Sequence, residues 1–195
     1  DFTIVEDTHS RKIVSSMNLI PQTWEYAGIP FPFGRPELVG THPDYRNRGL
    51  VRAQFDVVHQ WCVERGLLVQ GITGIPYYYR QFGYEMALNL GGGRNGYKVH
   101  VPKLKEGEEE PFVVRLAQEA DLPFIAELYR LGCQRWLVSC VRDEAYWRYE
   151  LCDMSAKNVN RFELRIIQVK DGVAVGFLAH PHFTWGPVFA APTYE

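Results

Sequence analysis

Short runs of β-branched and aromatic residues open the chain, and turn-forming residues separate them. Such runs favour strands, while proline and glycine favour turns, so the pattern predicts an antiparallel meander. A further short strand is predicted just before Pro43. The predicted strands cover residues 3–5, 13–19, 23–29 and 37–41, and the turn formers are Pro21, Pro30, Pro32 and Gly34.

The next segment has the period of an amphipathic helix. Apolar residues recur at three- and four-residue steps over residues 51–62, which puts them on one face. The helix is predicted to begin at Gly49 and to end at Arg65 and Gly66, a cation and a glycine that suit a C-terminal cap. A strand over residues 67–72 then completes a βαβ unit with parallel strands.

The same signals predict the elements of the rest of the chain. Before residue 111 we expect a helical turn and strand over residues 74–84, a glycine break at 91–93, a strand at 97–101 and a charged linker at 103–110. A second set of strands and helices is predicted from Phe112 onward, and the sequences of the two halves do not align as a simple repeat. We expect a strand at 112–116, helices at 121–131 and 143–151, and a hairpin of 162–169 with 173–179.

These elements predict a mixed α/β (or α+β) fold, with a mostly antiparallel twisted sheet flanked by helices. The hydrophobic content of 46% can fill a core, and a formal net charge of -2 gives no reason to expect a nucleic-acid or membrane partner. The longest apolar runs fall far short of the about 20 residues of a membrane helix.

The cysteine and histidine spacing gives no metal signature. Neither a Cys-x-x-Cys pair nor zinc-finger spacing occurs, so isolated thiols in a reducing, cytoplasmic location are predicted. His180 and His182 flank Pro181 without a third ligand in view, which favours a plain strand and turn over a metal site. The four cysteines are Cys62, Cys133, Cys140 and Cys152.

A basic turn before the predicted helix carries the clearest chemical signal. Backbone N–H groups at a helix N-terminus are unpaired and suit a pyrophosphate, and Gly49 leaves room for one. Arg46, Arg48 and Arg52 add positive charge at the same point, where cations oppose the helix dipole unless an anion binds. The alternative is a helix whose basic first turn is simply solvated.

The segment Arg46-Asn47-Arg48-Gly49-Leu50-Val51 resembles the Q/R-x-x-G-x-G/A signature of the GNAT superfamily of N-acetyltransferases, and Val39 and Pro43 fit its upstream context. The resemblance implies a GNAT fold that binds acetyl-CoA as cosubstrate, with the pyrophosphate on this loop and the pantetheine along the preceding strand. Val51 departs from the signature, because Gly or Ala is usual there. The implied binding residues are Leu38, Val39, Thr41, Arg46, Asn47, Arg48, Gly49, Leu50, Val51 and Arg52.

The segment Tyr79-Arg80-Gln81-Phe82-Gly83-Tyr84 is similar to the family's Tyr-x-x-x-Gly-Phe/Tyr segment and follows the loop in the expected order. The resemblance implies that Tyr79 is the general acid, and a phenol with a pKa near about 10 can protonate a departing thiolate. Tyr77 and Tyr78 are rival candidates. Glu37 and His42 flank the implied cofactor strand and are both open as the general base, although each can be an ordinary strand-end residue.

The arginine-rich loop resembles the enhanced-intracellular-survival type of this superfamily, whose chains carry two such domains in tandem. We therefore expect a GNAT domain over residues 1–102 with its start missing, a linker at 103–110, and the N-terminal part of a second copy over residues 111–195. Because the chain begins with Asp1 rather than Met, a segment of a longer protein is expected.

The functional prediction is an enzyme that transfers an acetyl group from acetyl-CoA to a primary amine of a small molecule or peptide. A non-catalytic acyl-CoA-binding or oligomer-scaffolding module of the same fold is the alternative. A third possibility is that aromatic residues of the C-terminal half make protein contacts in a homo-oligomer.

Overall fold

The computed structural model describes residues 1–88, 94–158, 161–181 and 188–191. The chain divides into two compact units. The first comprises Asp1–Leu90 with Leu137–Val141, and the second comprises Gly91–Trp136 with Arg142–Glu195. The expected domain boundaries at residues 102 and 111 stay predictions, as does the tandem relationship.

The first unit is built on a sheet of five strands and one long helix. The elements are β1 (Phe2–Asp7), β2 (Lys12–Tyr26), β3 (Ile29–Thr41), α1 (Leu50–Glu64), β4 (Val69–Gln70) and, from later in the chain, β7 (Val138–Cys140). The strand order is β1-β2-β3-β4, and β7 pairs with the C-terminal end of β2. All neighbours are antiparallel except β3 and β4, which run parallel across the connection through α1, as predicted.

The predicted breaks at the prolines are wrong, because β2 and β3 are single long strands joined by a turn at Ala27 and Gly28. The carbonyls of Pro32 and Gly34 accept hydrogen bonds from the β4 side of the strand. Pro32, Gly34 and the next alternate residue of β3 on either side of them therefore direct their backbone N–H and C=O groups away from β2. A proline at such a position, which has no N–H, removes no hydrogen bond between β2 and β3.

Helix α1 covers one face of this sheet. Its residues Phe55, Val58 and Cys62 are buried against Met17 and Leu19 of β2, which confirms the predicted inner face. Arg65 caps the helix, and Gly66 follows with φ 65°. The strand after the helix is shorter than predicted, since only Val69 and Gln70 pair with β3.

The end of β3 separates from its parallel neighbour. The pairing register between β2 and β3 shifts between Ser16 and Asn18, and on the facing strand Leu38 has φ 54°. On the β4 side the last bond runs from the Gly71 N–H to the Gly34 carbonyl, at 3.0 Å. Within the described residues, the following stretch of β3 pairs with no strand on that edge.

The second unit has its own core around Trp147, Ile125 and Ile166. A three-stranded antiparallel sheet in the order β6-β8-β9 packs against two helices, and β5 pairs with β10. The predicted strand, helices and hairpin of this half are confirmed as elements. Their bounds are β5 (Arg94–Tyr97), β6 (Phe112–Leu116), α2 (Leu122–Cys133), α3 (Glu144–Arg148), β8 (Phe162–Val169), β9 (Ala174–Pro181) and β10 (Val188–Ala191).

Two predictions between the halves are wrong. The predicted strand at 97–101 begins earlier and is replaced by a 3₁₀ turn at Lys98–His100, because the distant β10 fixes which residues pair. The strand expected within residues 74–84 is absent there, although the expected helical turn is present as a 3₁₀ helix over Tyr78–Phe82. The predicted glycine break at 91–93 and His182 lie outside the described residues.

Candidate cofactor and active site

The N-terminus of α1 is open for an anion. Gly49 is its cap residue with φ 75°, a left-handed conformation that favours glycine, and no side chain caps the helix. The first helical bond runs from the Ala53 N–H to the Gly49 carbonyl, at 3.0 Å. The amides of Leu50, Val51 and Arg52 therefore have no acceptor inside the helix.

Three guanidinium groups lie near this terminus, and each contacts an uncharged oxygen, either a backbone carbonyl or a side-chain amide. Arg46 Nε lies 3.5 Å from the Thr41 carbonyl, and Arg48 donates to the Asp44 carbonyl at 2.9 Å. Arg52 donates to Gln81 Oε1 at 3.1 Å. Within the described part of the chain none of the three arginines pairs with a carboxylate, so their charge is available to a ligand.

The turn between β3 and α1 is tied to the first strand. Tyr45, in a 3₁₀ turn over Pro43–Tyr45, donates a hydrogen bond from its hydroxyl to the carboxylate of Asp7. This bond, helped by the backbone N–H of His9, lowers the pKa of Asp7 to about 2. The same contact raises the pKa of Tyr45. Asp7 is thus ionised through the ordinary pH range and anchors the turn.

A buried polar cluster, which sequence analysis missed, joins α1 to the strands of the first sheet. Gln54 donates from Nε2 to Ser15 Oγ at 2.7 Å and to the Leu50 carbonyl at 3.2 Å. Its Oε1 accepts from the Thr3 hydroxyl at 2.9 Å. Ser15 in turn donates to the Gly40 carbonyl at 2.8 Å, so the cluster fixes the first turn of α1 against the end of β3. The signal available in the sequence was the position of Gln54, a polar residue at helical spacing from apolar residues that the structure buries.

The predicted binding residues lie together at this end of the first unit, with different orientations. Val39 and Val51 pack their side chains against the core, whereas Leu38 is 66% exposed. The branched side chain of Val51 therefore fills core space rather than the mouth of the loop. Thr41 Oγ1 lies 2.9 Å from Ser15 Oγ, and Asn47 has φ 59°.

Tyr79 has a fixed ring and an unengaged hydroxyl. Its ring packs edge-on against Phe55, with centroids 6.0 Å apart, and a Cβ placed on Gly74 would lie only 2.1 Å from Cε2 of Tyr79. Among the described residues its hydroxyl has no hydrogen-bond partner. Burial, and then the charges of Tyr78 and Glu37, raise the pKa of Tyr79 and keep its proton in place.

The neighbouring tyrosines differ from Tyr79. Tyr77 is 67% exposed and carries Arg80 over its ring at 4.8 Å, and Tyr78 is also exposed. Tyr84 donates its hydroxyl to Gln70 at 2.6 Å, and burial raises its pKa. The Tyr78 ring also makes contacts, with Tyr79 at 5.0 Å and Phe82 at 5.8 Å, but Tyr78 is 36% exposed, whereas Tyr79 is partly buried.

The two base candidates lie in different surroundings. Glu37 binds Arg35 at 2.6 Å, accepts a 3.4 Å bond from the Thr73 hydroxyl, and is close enough for its charge to affect Tyr79. His42 caps the 3₁₀ turn by accepting from the Asp44 N–H at 3.3 Å, and it stands at the loop. The contacts thus link Glu37, and not His42, to the surroundings of Tyr79.

A cavity of about 790 Å³ in the first unit borders Tyr79. Most of its walls are apolar, with Trp24 stacked on Phe33 at a centroid distance of 4.1 Å. A Cβ on Gly71 would lie 2.5 Å from Cζ of Phe33, so this glycine makes room for the ring. The cavity size falls in the range of about 300–1,000 Å³ that is typical of small-molecule sites.

Three further features concern the residues that the structure describes. No group of three or more His, Cys, Asp or Glu side chains there is arranged to hold a metal. No helix in that part of the chain is long and apolar enough to cross a membrane. All four cysteines are free, as predicted.

Three solved structures with a similar fold are described as N-acyltransferases. The protein is similar to a GCN5-related N-acetyltransferase from Kribbella flavida, with 18% identity and a TM-score of 0.64, over 100% of this chain and 47% of that one. Its match to a GCN5-related N-acetyltransferase from Anabaena variabilis has 17% identity and a TM-score of 0.64, over 100% and 49%. Saccharomyces cerevisiae N-myristoyltransferase with bound myristoyl-CoA gives 12% identity and a TM-score of 0.66, over 91% and 46%.

The chain spans less than half the length of each of these proteins. No curated protein matches it. The mixed, mostly antiparallel sheet flanked by helices is the GNAT acyl-CoA N-acyltransferase fold that the loop motif implied. Residues 1–87, which contain every predicted site residue, match the family model of the acetyltransferase (GNAT) domain.

Proposed function

We propose that this protein transfers an acetyl group from acetyl-CoA to a primary amine of a small molecule or peptide. One observation carries the proposal: an uncapped helix N-terminus with three guanidinium groups lies beside the unpaired stretch of β3. Amides and guanidinium groups together suit a pyrophosphate, and an open strand edge suits the amides of a pantetheine arm. The family match of residues 1–87 supports the same class of reaction.

Each predicted residue receives a role in this proposal. The amides of Leu50, Val51 and Arg52, with the side chains of Arg46 and Arg48, bind the pyrophosphate. Asn47 and Gly49 shape the turn through their left-handed conformations. Leu38, Val39 and Thr41 offer backbone groups to the pantetheine.

Tyr79 acts as the general acid. The amine nitrogen attacks the thioester carbonyl, the C–N bond forms, the C–S bond breaks, and Tyr79 gives its proton to the departing sulfur. A raised phenol pKa suits this role, since the group still carries its proton when the thiolate leaves. We favour Glu37 over His42 as the group that accepts the proton from the amine, because Glu37 affects Tyr79 electrostatically.

The experiment is calorimetry of the whole chain with acetyl-CoA, followed by a thiol assay of CoA release with a panel of amines. We expect a saturable heat that weakens as salt rises, because arginine–phosphate contacts are screened. Arg46→Gln and Arg48→Gln should each weaken binding, and Arg130→Gln on α2 is a matched exposed control. The absence of binding at millimolar acetyl-CoA would refute the proposal.

A non-catalytic acyl-CoA-binding module is the second candidate. It is favoured by the pairing of Glu37 with Arg35, which occupies the carboxylate that would serve as base. Binding of acetyl-CoA without amine-stimulated CoA release across the whole panel would support this candidate. The cytoplasmic location, the homo-oligomer and the enhanced-intracellular-survival type remain predictions.

A further inference from the structure

Two guanidinium groups and one carboxylate lie in the described walls of the cavity of about 790 Å³ beside Tyr79. Among its described lining residues the carboxylate is Glu85, and Arg80 binds it through two hydrogen bonds of 3.1 and 2.9 Å. Arg35 adds a second guanidinium, which is paired with Glu37. No carboxylate of the described lining is therefore left over for a cationic ligand.

The apolar part of the cavity offers flat aromatic surface. Trp24 lies on Phe33 with 11° between their planes, and Phe33 is only 5% exposed beneath it. Ile75 and Met86, both 66% exposed, extend the apolar wall toward the opening. Aromatic rings bind such surfaces by stacking, with little need for polar partners.

From these two features we infer that the acceptor is a monoamine with an aromatic or otherwise apolar body, rather than a polyamine or an aminoglycoside. The body fills the space between Trp24 and Ile75, and the amine nitrogen lies at the Tyr79 end. A second ammonium would lose its hydration without finding a partner carboxylate. Nearby guanidinium charge also favours the neutral amine, which is the form that attacks. This inference rests on the proposed function.

The test compares 2-phenylethylamine, cadaverine and spermidine as ligands and as substrates of the whole chain. Calorimetry at saturating CoA measures amine binding, and CoA release from acetyl-CoA measures turnover. We expect 2-phenylethylamine to exceed both polyamines by at least about tenfold in affinity and in kcat/KM. Equal or better binding of spermidine overturns the inference, while the absence of acetyl-CoA binding refutes the proposed function independently.

A charge variant sharpens the test. Arg80→Met frees Glu85, so the cadaverine-to-phenylethylamine ratio should rise by about threefold, as for an exposed ion pair. Arg130→Met is the matched control, because Arg130 makes a similar two-bond pair with Glu127 on α2 in the second unit. An unchanged ratio in Arg80→Met, or an equal shift in the control, overturns the role of the cavity charges.

The other possible occupant is an acyl chain longer than acetyl. A series of acetyl-, hexanoyl- and decanoyl-CoA separates the two. If the amine occupies the cavity, lengthening the acyl chain lowers turnover with 2-phenylethylamine. If decanoyl-CoA binds more tightly and blocks that amine, the cavity holds the acyl chain and the inference is wrong.

Discussion

Three consecutive tyrosines, residues 77–79, occupy the turn after β4. Their sequence positions alone do not identify the general acid, and their surroundings in the structure differ. Tyr79 packs on Phe55 and faces Gly74, where no Cβ intervenes, while Tyr77 and Tyr78 are exposed. Burial raises the pKa of Tyr79, so it is protonated at neutral pH and through the alkaline range where a free phenol begins to ionise.

Tyr79→Phe should therefore lower kcat by about 10²–10⁴-fold, the usual contribution of a general acid, with little change in KM for acetyl-CoA. The hydroxyl makes no bond to the described protein, so its removal should leave the free energy of unfolding nearly unchanged. Tyr78→Phe is the control and should keep kcat within a few fold. Steady-state kinetics with thermal unfolding measures both, and an active Tyr79→Phe would remove this residue from the mechanism.

A second residue-scale prediction concerns the contact between Asp7 and Tyr45. In the folded chain the pKa of Asp7 is about 2, below its ordinary value, so the contact stabilises the fold above the ordinary pKa and is lost as pH falls through about 2. Tyr45→Phe removes the main hydrogen bond and should raise the pKa of Asp7 toward its ordinary range. Carbon-detected NMR titration of the Asp7 carboxyl measures the shift, and an unchanged pKa in the variant would contradict the assigned cause.

At the scale of elements, helix α1 and the parallel strands on either side of it could be predicted, whereas the length of those strands and the long-range contacts around the helix could not. The three- and four-residue spacing of Val51, Phe55 and Val58 fixes the inner face of α1, and Gly49 marks its beginning, because both signals are local. The continuity of β3 through its prolines depends on the direction of backbone groups relative to β2 and β4, and sequence alone does not give that pairing. The Gln54 cluster likewise needs partners that lie 39 and 51 residues away.

Gly49→Ala tests the left-handed cap at the proposed anion site. A Cβ there meets no atom within 4 Å, so the expected loss of about 1–2 kcal/mol in unfolding free energy comes from the backbone conformation alone. The strain should also weaken acetyl-CoA binding by altering the turn.

Gly66→Ala is a matched control at the other end of the same helix, with φ 65° and equally open space. It should cost similar stability in chemical denaturation and leave acetyl-CoA affinity unchanged in calorimetry. An equal loss of affinity in both variants would show that Gly49 acts only through stability.

At the scale of the whole molecule, the first sheet is completed by a strand from much later in the chain. β7 belongs to the first unit and pairs with β2 through Trp24 and Cys140, although the predicted linker and several other elements separate them in sequence. The change of composition over residues 103–110 predicts a division of the chain between residues 102 and 111. Composition does not predict β7, because a three-residue strand has almost no pattern of its own and its partner lies more than a hundred residues earlier.

Ser139→Pro tests whether β7 contributes to the first unit. The bonds from the Ala27 N–H to the Leu137 carbonyl, and from the Val141 N–H to the Thr23 carbonyl, flank the Glu25–Ser139 pair. Hydrogen-bonded and non-hydrogen-bonded pairs alternate along an antiparallel ladder, so the Glu25–Ser139 pair is hydrogen-bonded. A proline at position 139 removes the backbone N–H that Ser139 donates.

In Ser139→Pro, the Ala27 amide should then exchange with deuterium faster by an order of magnitude or more, while amides at the centre of α1 keep their protection. Glu106→Pro is the control, because position 106 follows Lys105 in a turn closed by the Glu108 N–H, where proline is well tolerated. If Ala27 stays protected in Ser139→Pro, the β7 pairing does not stabilise β2. If the amides of α1 lose protection as well, β7 is required for the stability of the whole first unit, and a fragment ending at residue 102 would lack a strand that its sheet requires.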